Sequence, residues 1–533
     1  MALVVLARDG VLFLIAWEIM ALAGFFLVCT EESKAEVRQA GWVYLVATHL
    51  GTICQIGFFA LLHRASGSFD LWPSLPADLS PHVATSLFVL GAVGFGLKAG
   101  IMPLHVWLPG AHANAPSHVS AILSGVLLKT GVYGLLRVTA LMPHPPLWWG
   151  SALLVAGTLS AVVAIAFAAA QHDLKRLLAY SSIENVGIVI LGVGLATLGR
   201  SLGRPAWVAL GLGGALLHII NHSLFKPLLF MGAGAVLHAT RTRRMDLLGG
   251  LGRNMPKVFV LFLIGAVAIC GLPPLNGFVG EFLLYIGLFT TALETPATWG
   301  WVALAAPALA VVGAMAVASF IKLVCTVFVA APRSPHAAGA HDPDWKMTLP
   351  MWVMAAGCLL IGVFPQVTFG ALDRATASWA PQMPQTTAIA NHLALGWLTA
   401  LPLLLLATVT SAALWFWRGR THRAQPHAGT WDCGYALPTP RMQYSGSSFS
   451  QMIVELLSWI VWPGRKPPRI DGVFPSRSNF ASNVGDVVLD RALLPAFSAT
   501  AWLLGWARII QRGPIQVYLL YVLGILIMLL LFA

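Results

Sequence analysis

Long apolar runs separated by short polar ones make up most of this chain, and the runs have the length of a lipid bilayer. A helix needs about 20 apolar residues to cross. Runs that meet this fall near 10–29, 40–62, 83–103, 117–140, 148–170, 182–198, 206–238, 256–291, 300–330, 347–369, 394–417 and 513–532, which predicts twelve crossings. Two of them are interrupted: Gly91, Gly94, Gly96, Gly100 and Pro103 mark a break in the third, and GLPPLNG at 271–277 marks one in the eighth. Opened backbone is tolerated at membrane depth only inside protein or beside water, so both breaks predict a protein interior. The opening MALVVLA is too short to span and lacks the basic start and cleavage site of a signal peptide, so it reads as the end of a helix whose beginning is missing.

Composition agrees with a polytopic membrane protein. Only 10% of the 533 residues are charged and 58% are hydrophobic, with a mean hydropathy of +0.78. Soluble domains carry about 25% charged residues. The net charge of +12 does not indicate nucleic acid, because the basic residues sit in loops between apolar runs. Lys34, Arg38, Lys175, Arg176, Arg241, Arg243, Arg244, Arg253, Lys257, Arg333 and Lys346 fall on one side, against Arg64, Arg200, Arg204 and Arg374 on the other. The first set is expected to face the cytoplasm of a bacterial-type inner membrane, together with 418–512.

That segment, containing GTWDCGYALPTPRMQYSGSSFSQ, reads as a linker and anchor more than as a docking element. Toward its end, Val487 to Ile510 places Trp502, Leu503 and Trp506 beside Arg491 and Arg508, which predicts an amphipathic helix in the lipid interface before a final crossing at 513–533. The six cysteines, Cys29, Cys54, Cys270, Cys325, Cys358 and Cys433, show no metal or disulfide spacing. No metal or redox cofactor is expected in this chain.

The informative residues are ionisable ones inside the apolar runs. Glu18, Lys98, Lys129, Glu184, Glu281 and Lys322 all lie there, and His218 and His222 are four apart on one helix face. A charged group near the bilayer centre costs roughly 2.5–3.5 kcal/mol on insertion scales, so such residues are functional by default. Each has a plainer alternative. Glu18 and Lys98 could be a structural ion pair, Lys322 and Glu184 could snorkel or cap, and the histidines could be core residues. His105, His112 and His118, after the first break, have a weaker claim. A series through most of the runs favours a proton pathway, because buried pairs seldom add stability over apolar packing.

WEIMAL, FGLKAGIMPLHVWLPGAHANAPSHVSAILSGVLLKTGVYGLLR, DLKRLLAYSSIENVGI, HIINHSLFKPLLFMGAG and GLPPLNGFVGEFLLY resemble the antiporter-like membrane subunits of respiratory complex I and their relatives. SIENVG, NHSLFKPLLFM and WDCGYALPTPRMQY resemble more narrowly the hydrogenase-4 branch of these subunits, found with energy-converting nickel-iron hydrogenases and formate hydrogenlyase. The resemblance implies an all-α polytopic fold of two inverted five-helix repeats with broken helices, plus extra C-terminal helices. The first repeat would occupy 1–140, lacking about three N-terminal helices of the family, and the second 141–331, followed by added crossings over 332–417. It also implies that Glu18 and Lys98 form the family's ion pair, that Lys129 is its central lysine, and that Glu281 opens toward the far side.

The resulting expectation is a proton-translocating subunit that couples electron transfer in partner subunits to ion movement. Nickel-iron and iron-sulfur centres would lie in a soluble redox arm, next to other membrane subunits. Two alternatives stay open: a subunit of a sodium or potassium/proton antiporter, and a non-pumping anchor for a hydrogenase.

Overall fold

The computed structural model describes every residue except 72–74, 76–78, 295–296, 330, 384–387, 422–438, 441, 467–471, 473–480, 508–514 and 533. Eleven of the described helices are long and apolar enough to cross a membrane, and two shorter apolar helices add to them. After a single turn, α1 (Ala2–Leu6), the chain forms α2 (Gly10–Val28), α3 (Ala35–Ser66) and α4 (Pro81–Ala99). Asp9 starts α2 by accepting from the Val11 and Leu12 amides at 2.9 and 3.1 Å, which satisfies donors that the first helical turn leaves free.

The first predicted break is present. α4 ends at Ala99, with Gly100 at φ 76° as its cap, and α5 (Leu108–Asn114) follows. Next come α6 (Ser117–Ile122), a π-helical turn over Leu123–Leu127, and α7 (Leu128–Ala140). The centre is formed by α8 (Leu147–Ala170), α9 (Leu174–Leu202) and α10 (Pro205–Thr240). α9 is buried along its whole membrane-crossing stretch and packs between α8 and α10. The approach to α8 is close because two glycines face each other. A methyl group on Gly157 would lie 2.4 Å from the Leu191 amide nitrogen, and one on Gly187 would lie 2.6 Å from that of Ala161.

After the short α11 (Leu251–Asn254), the second break separates α12 (Pro256–Ile269) from α13 (Asn276–Glu294), with Gly271 at φ 62°. α14 (Ala305–Val324) continues into a π-helical turn over Cys325–Val329, and α15 (Pro335–Ala338) follows. The crossing predicted at 347–369 is shorter: α16 (Trp345–Val363) stops before Pro365, and a separate helix α17 (Gln366–Trp379) begins. α18 (Leu395–Thr421) is the next long helix.

The segment read as a linker is in part docked. α19 (Gly446–Leu456) packs against α8 and α14, and α20 (Ser458–Val461) against α8. Cys433 and most of the WDCGYALPTPRMQY motif lie outside the described residues. One small antiparallel pair, β1 (Gly464–Lys466) with β2 (Ala481–Asn483), adds the only named strands among the described residues.

Residues 485–533 form a separate compact unit. It holds a π-helical turn over Val488–Leu493, then α21 (Leu494–Ala507) and α22 (Ile515–Phe532). Of the amphipathic stretch expected over Val487 to Ile510, the π-helical turn carries Asp490 and Arg491 and runs directly into α21. α21, LPAFSATAWLLGWA, has no charged residue on any face, Arg491 precedes it, and Arg508 lies outside the described residues.

Two residues counted as loop charges point inward instead. Lys175 is 1% exposed and donates to the Ala115 carbonyl at the end of α5. Arg200 is 2% exposed and donates to the Thr139 and Met142 carbonyls at 2.9 and 2.6 Å. Its guanidinium also lies over the Trp379 ring. A buried carbonyl at a helix end needs a donor, and a long cationic side chain reaches it. Each side of the loop count loses one residue, so the asymmetry stays.

Candidate functional site

The ionisable residues fall into three groups inside the bundle. In the first, α3 packs against both α2 and α4 and places Tyr44 and Thr52 among their polar groups. Lys98, buried at the end of α4, donates to Tyr44 Oη at 3.1 Å. Glu18 of α2 accepts from Thr52 Oγ1 and lies 3.5 Å from His49 Nε2. The expected direct pair of Glu18 with Lys98 is therefore not formed. Each binds a different residue of α3, because that helix supplies nearer polar partners.

The second group is central. His218, His222 and Lys226 follow one another at four-residue spacing along one face of α10, and all three are buried. His222 Nδ1 lies 2.5 Å from Lys129 Nζ. Lys129 lies in the first turn of α7 and folds back to donate to the Ser124 carbonyl in the preceding π-helical turn. Such a turn releases carbonyls from regular pairing and is common at functional sites. From α9, Ser182 Oγ meets Ser124 Oγ at 2.9 Å, and Asn185 links His218 Nε2 at 2.9 Å to Glu184 Oε2 at 2.6 Å. Lys226 Nζ donates to the Leu178 carbonyl at 2.8 Å and to Ser181 Oγ at 2.6 Å. Glu184 is thus buried and hydrogen-bonded mid-helix, which excludes the snorkelling alternative.

His112 of α5 belongs with this group despite its weaker claim in the sequence. It is fully buried, stacks on Phe230 with ring centroids 4.9 Å apart, and neither ring nitrogen has a hydrogen-bond partner. His218 Nδ1, His222 Nε2 and Asn221 Oδ1 are also buried without partners. Polar atoms of this kind are those that internal water satisfies.

The second break positions Glu281. Its carboxylate rests against Gly271, where a methyl group would lie 2.8 Å from Oε2. The break thus provides room for a carboxylate beside opened backbone.

The third group surrounds Lys322 of α14, which is 1% exposed. Its ammonium donates to the Ala169 and Gln171 carbonyls, each at 2.7 Å, and to Ser450 Oγ at 3.3 Å. The capping alternative is therefore correct in part: Lys322 caps the C-terminal end of α8.

Sequence reasoning missed Lys226, although it stands in the quoted motif four residues beyond His222. It also missed Ser450, because nothing local ties α19 to α14. No cluster of three or more metal-binding side chains occurs among the described residues.

Residues 7–307 match the family model described as NADH:quinone oxidoreductase/Mrp antiporter, TM. Hydrogenase-4 component B of Escherichia coli (strain K12) is 36% identical over 536 residues, covering 97% of this chain and 79% of the relative. Formate hydrogenlyase subunit 3 of the same strain is 36% identical over 439 residues, covering 81% of this chain and 69% of the relative. The structure of an archaeal respiratory membrane complex, the membrane-bound sulfane sulfur reductase, has a chain similar in fold, with a TM-score of 0.72 at 23% identity, covering 98% of this chain and 81% of that one. By their names the first two are a component and a subunit of larger enzymes, and the third belongs to a membrane complex. With the broken helices and buried lysines in place, the chain belongs to the antiporter-like membrane-subunit family of NADH:quinone oxidoreductases and Mrp antiporters.

Proposed function

We propose that this chain translocates protons as the antiporter-like membrane subunit of a respiratory complex of the NADH:quinone oxidoreductase and membrane-bound hydrogenase type. The observation that carries the reading is the contact of Lys129 Nζ with His222 Nδ1 at 2.5 Å, within a buried array of amines, imidazoles, hydroxyls and amides contributed by α7, α9 and α10. Lysine and histidine can each hold or release a proton in such a setting, whereas an arginine cannot. A proton held as the Lys129 ammonium passes to the His222 imidazole, leaving a neutral amine and an imidazolium. His218, Asn185, Glu184 and Lys226 extend the array on either side. Glu18 with His49, Lys98 with Tyr44, Glu281 and Lys322 are its outer stations.

Electron transfer belongs to a soluble arm of partner subunits, which would hold nickel-iron and iron-sulfur centres. This chain converts the resulting changes at its interfaces into proton movement. The complex resides in a bacterial-type cytoplasmic membrane, with 418–512 on the cytoplasmic side by the excess of basic residues in the loops on that side. The test is proton movement in proteoliposomes containing the native complex and driven by its own redox reaction. Lys129→Ala should abolish translocation while the complex stays assembled. Flux that follows external sodium or potassium instead of protons would favour cation/proton antiport, and electron transfer without any flux would favour a non-pumping anchor.

A further inference from the structure

We propose that His172 and Asp246 form the port through which Lys322 exchanges protons with the adjacent aqueous phase, and that Gly446 to Ser450 is its cover. The proposal rests on the proton-translocating reading and adds an entry site to it.

Three observations converge on one spot. First, exposure falls along the row: the side chains of His172 and Asp246 are 23% and 35% exposed, with Nδ1 and Oδ2 3.2 Å apart, whereas Lys322 is 1% exposed. Second, all three meet Gly446. A methyl group there would lie 3.3 Å from Asp246 Oδ1, 3.3 Å from His172 Nδ1 and 3.6 Å from Lys322 Cε. A side chain there would press on the His172 and Asp246 side chains, so a glycine gives the backbone its close approach to the cluster. Third, of the three groups that accept from Lys322, two are carbonyls, which cannot pass a proton on. The third is the Ser450 hydroxyl, which both accepts and donates.

The cover is pinned at several points. Gln443 makes a two-way bond with the Ala331 backbone at 2.8 and 3.1 Å, and Arg333 donates to the Tyr444 carbonyl at 2.7 Å. The Gly446 amide donates to Asp246 Oδ1 at 3.2 Å. Asp246 therefore holds the cover with one oxygen and faces His172 with the other.

The neutral His172 imidazole takes a proton from a hydronium of the aqueous phase, which leaves as water, and becomes an imidazolium with the Asp246 carboxylate as its counterion. The imidazolium then gives that proton, through a bridging water or the Ser450 hydroxyl, to the neutral Lys322 amine. An ammonium and a neutral imidazole remain, and Asp246 keeps its charge throughout.

The experiment uses the native complex in proteoliposomes, with proton flux read by a pH-sensitive dye during redox turnover. His172→Ala should slow flux by about tenfold or more, and added imidazole should restore it. His172→Gln keeps a polar contact with Asp246 but carries no proton, so it should be equally slow with the complex intact on a native gel. Normal flux in either variant overturns the port. So does a loss in His172→Ala that imidazole fails to restore, or a complex that assembles with neither variant, since both outcomes make His172 structural. Lys129→Ala is run in parallel: normal flux in that variant sinks the proton-pathway reading itself, independently of the port.

Discussion

Lys129 and His222 come from helices far apart in sequence, yet their nitrogens lie 2.5 Å apart in the centre of the bundle. Two groups that each bind a proton cannot both be charged at that distance without strong repulsion. One proton shared between them is the arrangement the geometry favours, and the partner that holds it can change with the surrounding charge.

Lys129→Ala should therefore remove translocation and leave assembly intact, because the lost side chain leaves a polar pocket that water can fill. Lys129→Arg should fail as well, since a guanidinium keeps its proton. Proton flux and a native gel check both; an actively pumping Lys129→Arg would show that proton release at this position is not required.

Lys226 stands inside the 206–238 run, with the same kind of signal as the other buried ions, and it tests the extent of the array. Lys226→Met keeps the length of the side chain but loses the donors to Leu178 and Ser181. Flux should fall by about tenfold or more with assembly retained. Wild-type flux in this variant would restrict the array to Lys129 and the two histidines.

Glu18→Gln is predicted to leave the subunit assembled. No direct pair with Lys98 is broken, and the Thr52 contact can pass to an amide oxygen, so the expected cost is about 1 kcal/mol. A directly paired lysine would be left uncompensated at roughly 3–5 kcal/mol. Poor assembly of Glu18→Gln that Lys98→Met repairs would refute this separation of the two residues.

Packing offers a prediction independent of protons. A side chain at Gly157 would begin 2.4 Å from the Leu191 nitrogen, so Gly157→Leu must force α8 away from α9. Overpacking of this kind costs about 1–3 kcal/mol or more. Thermal denaturation of the detergent-solubilised complex should show a lower Tm, and an unchanged Tm would mean the helices part more easily than their contact suggests.

Docking of the cover should depend on acid in one direction. Burial alone would raise the Asp246 carboxyl, but the His172 contact, the Gly446 amide and the Lys322 charge outweigh it and hold it below the usual carboxylate range. A carboxyl lowered by folding stabilises the folded contact above its unfolded range and loses that contribution as pH falls through its lowered value. Hydrogen exchange at 443–450 should thus stay protected from neutral to mildly acid pH and rise only below the ordinary carboxylate range. Asp246→Asn should remove that acid step, and an identical profile in the variant would place the pH dependence elsewhere.

Much of this protein is legible in its amino-acid sequence. The bilayer-length runs, the breaks at Gly100 to Pro103 and at 271–277, and the presence of charge inside the spans follow from local rules. Helix length, glycine and proline geometry and the cost of burying an ion all act within a few neighbouring residues. The same rules misjudge Lys175 and Arg200. Both stand at helix ends, where a basic residue reads as a surface charge, and both turn inward to carbonyls of other elements.

Which charges meet was decided only by the fold. Glu18 binds Thr52 rather than Lys98, Lys129 finds His222, and Lys322 is closed over by Ser450 from a segment that composition alone reads as a linker. The reason is geometric. A hydrogen bond or ion pair depends on helix rotation and spacing to within an ångström or so, and those are set by side-chain packing across the bundle, such as the Gly157 and Gly187 contact, which no spacing within one helix encodes. Sequence therefore determined that this chain places ionisable groups inside membrane-length helices, and tertiary packing determined which of those groups touch.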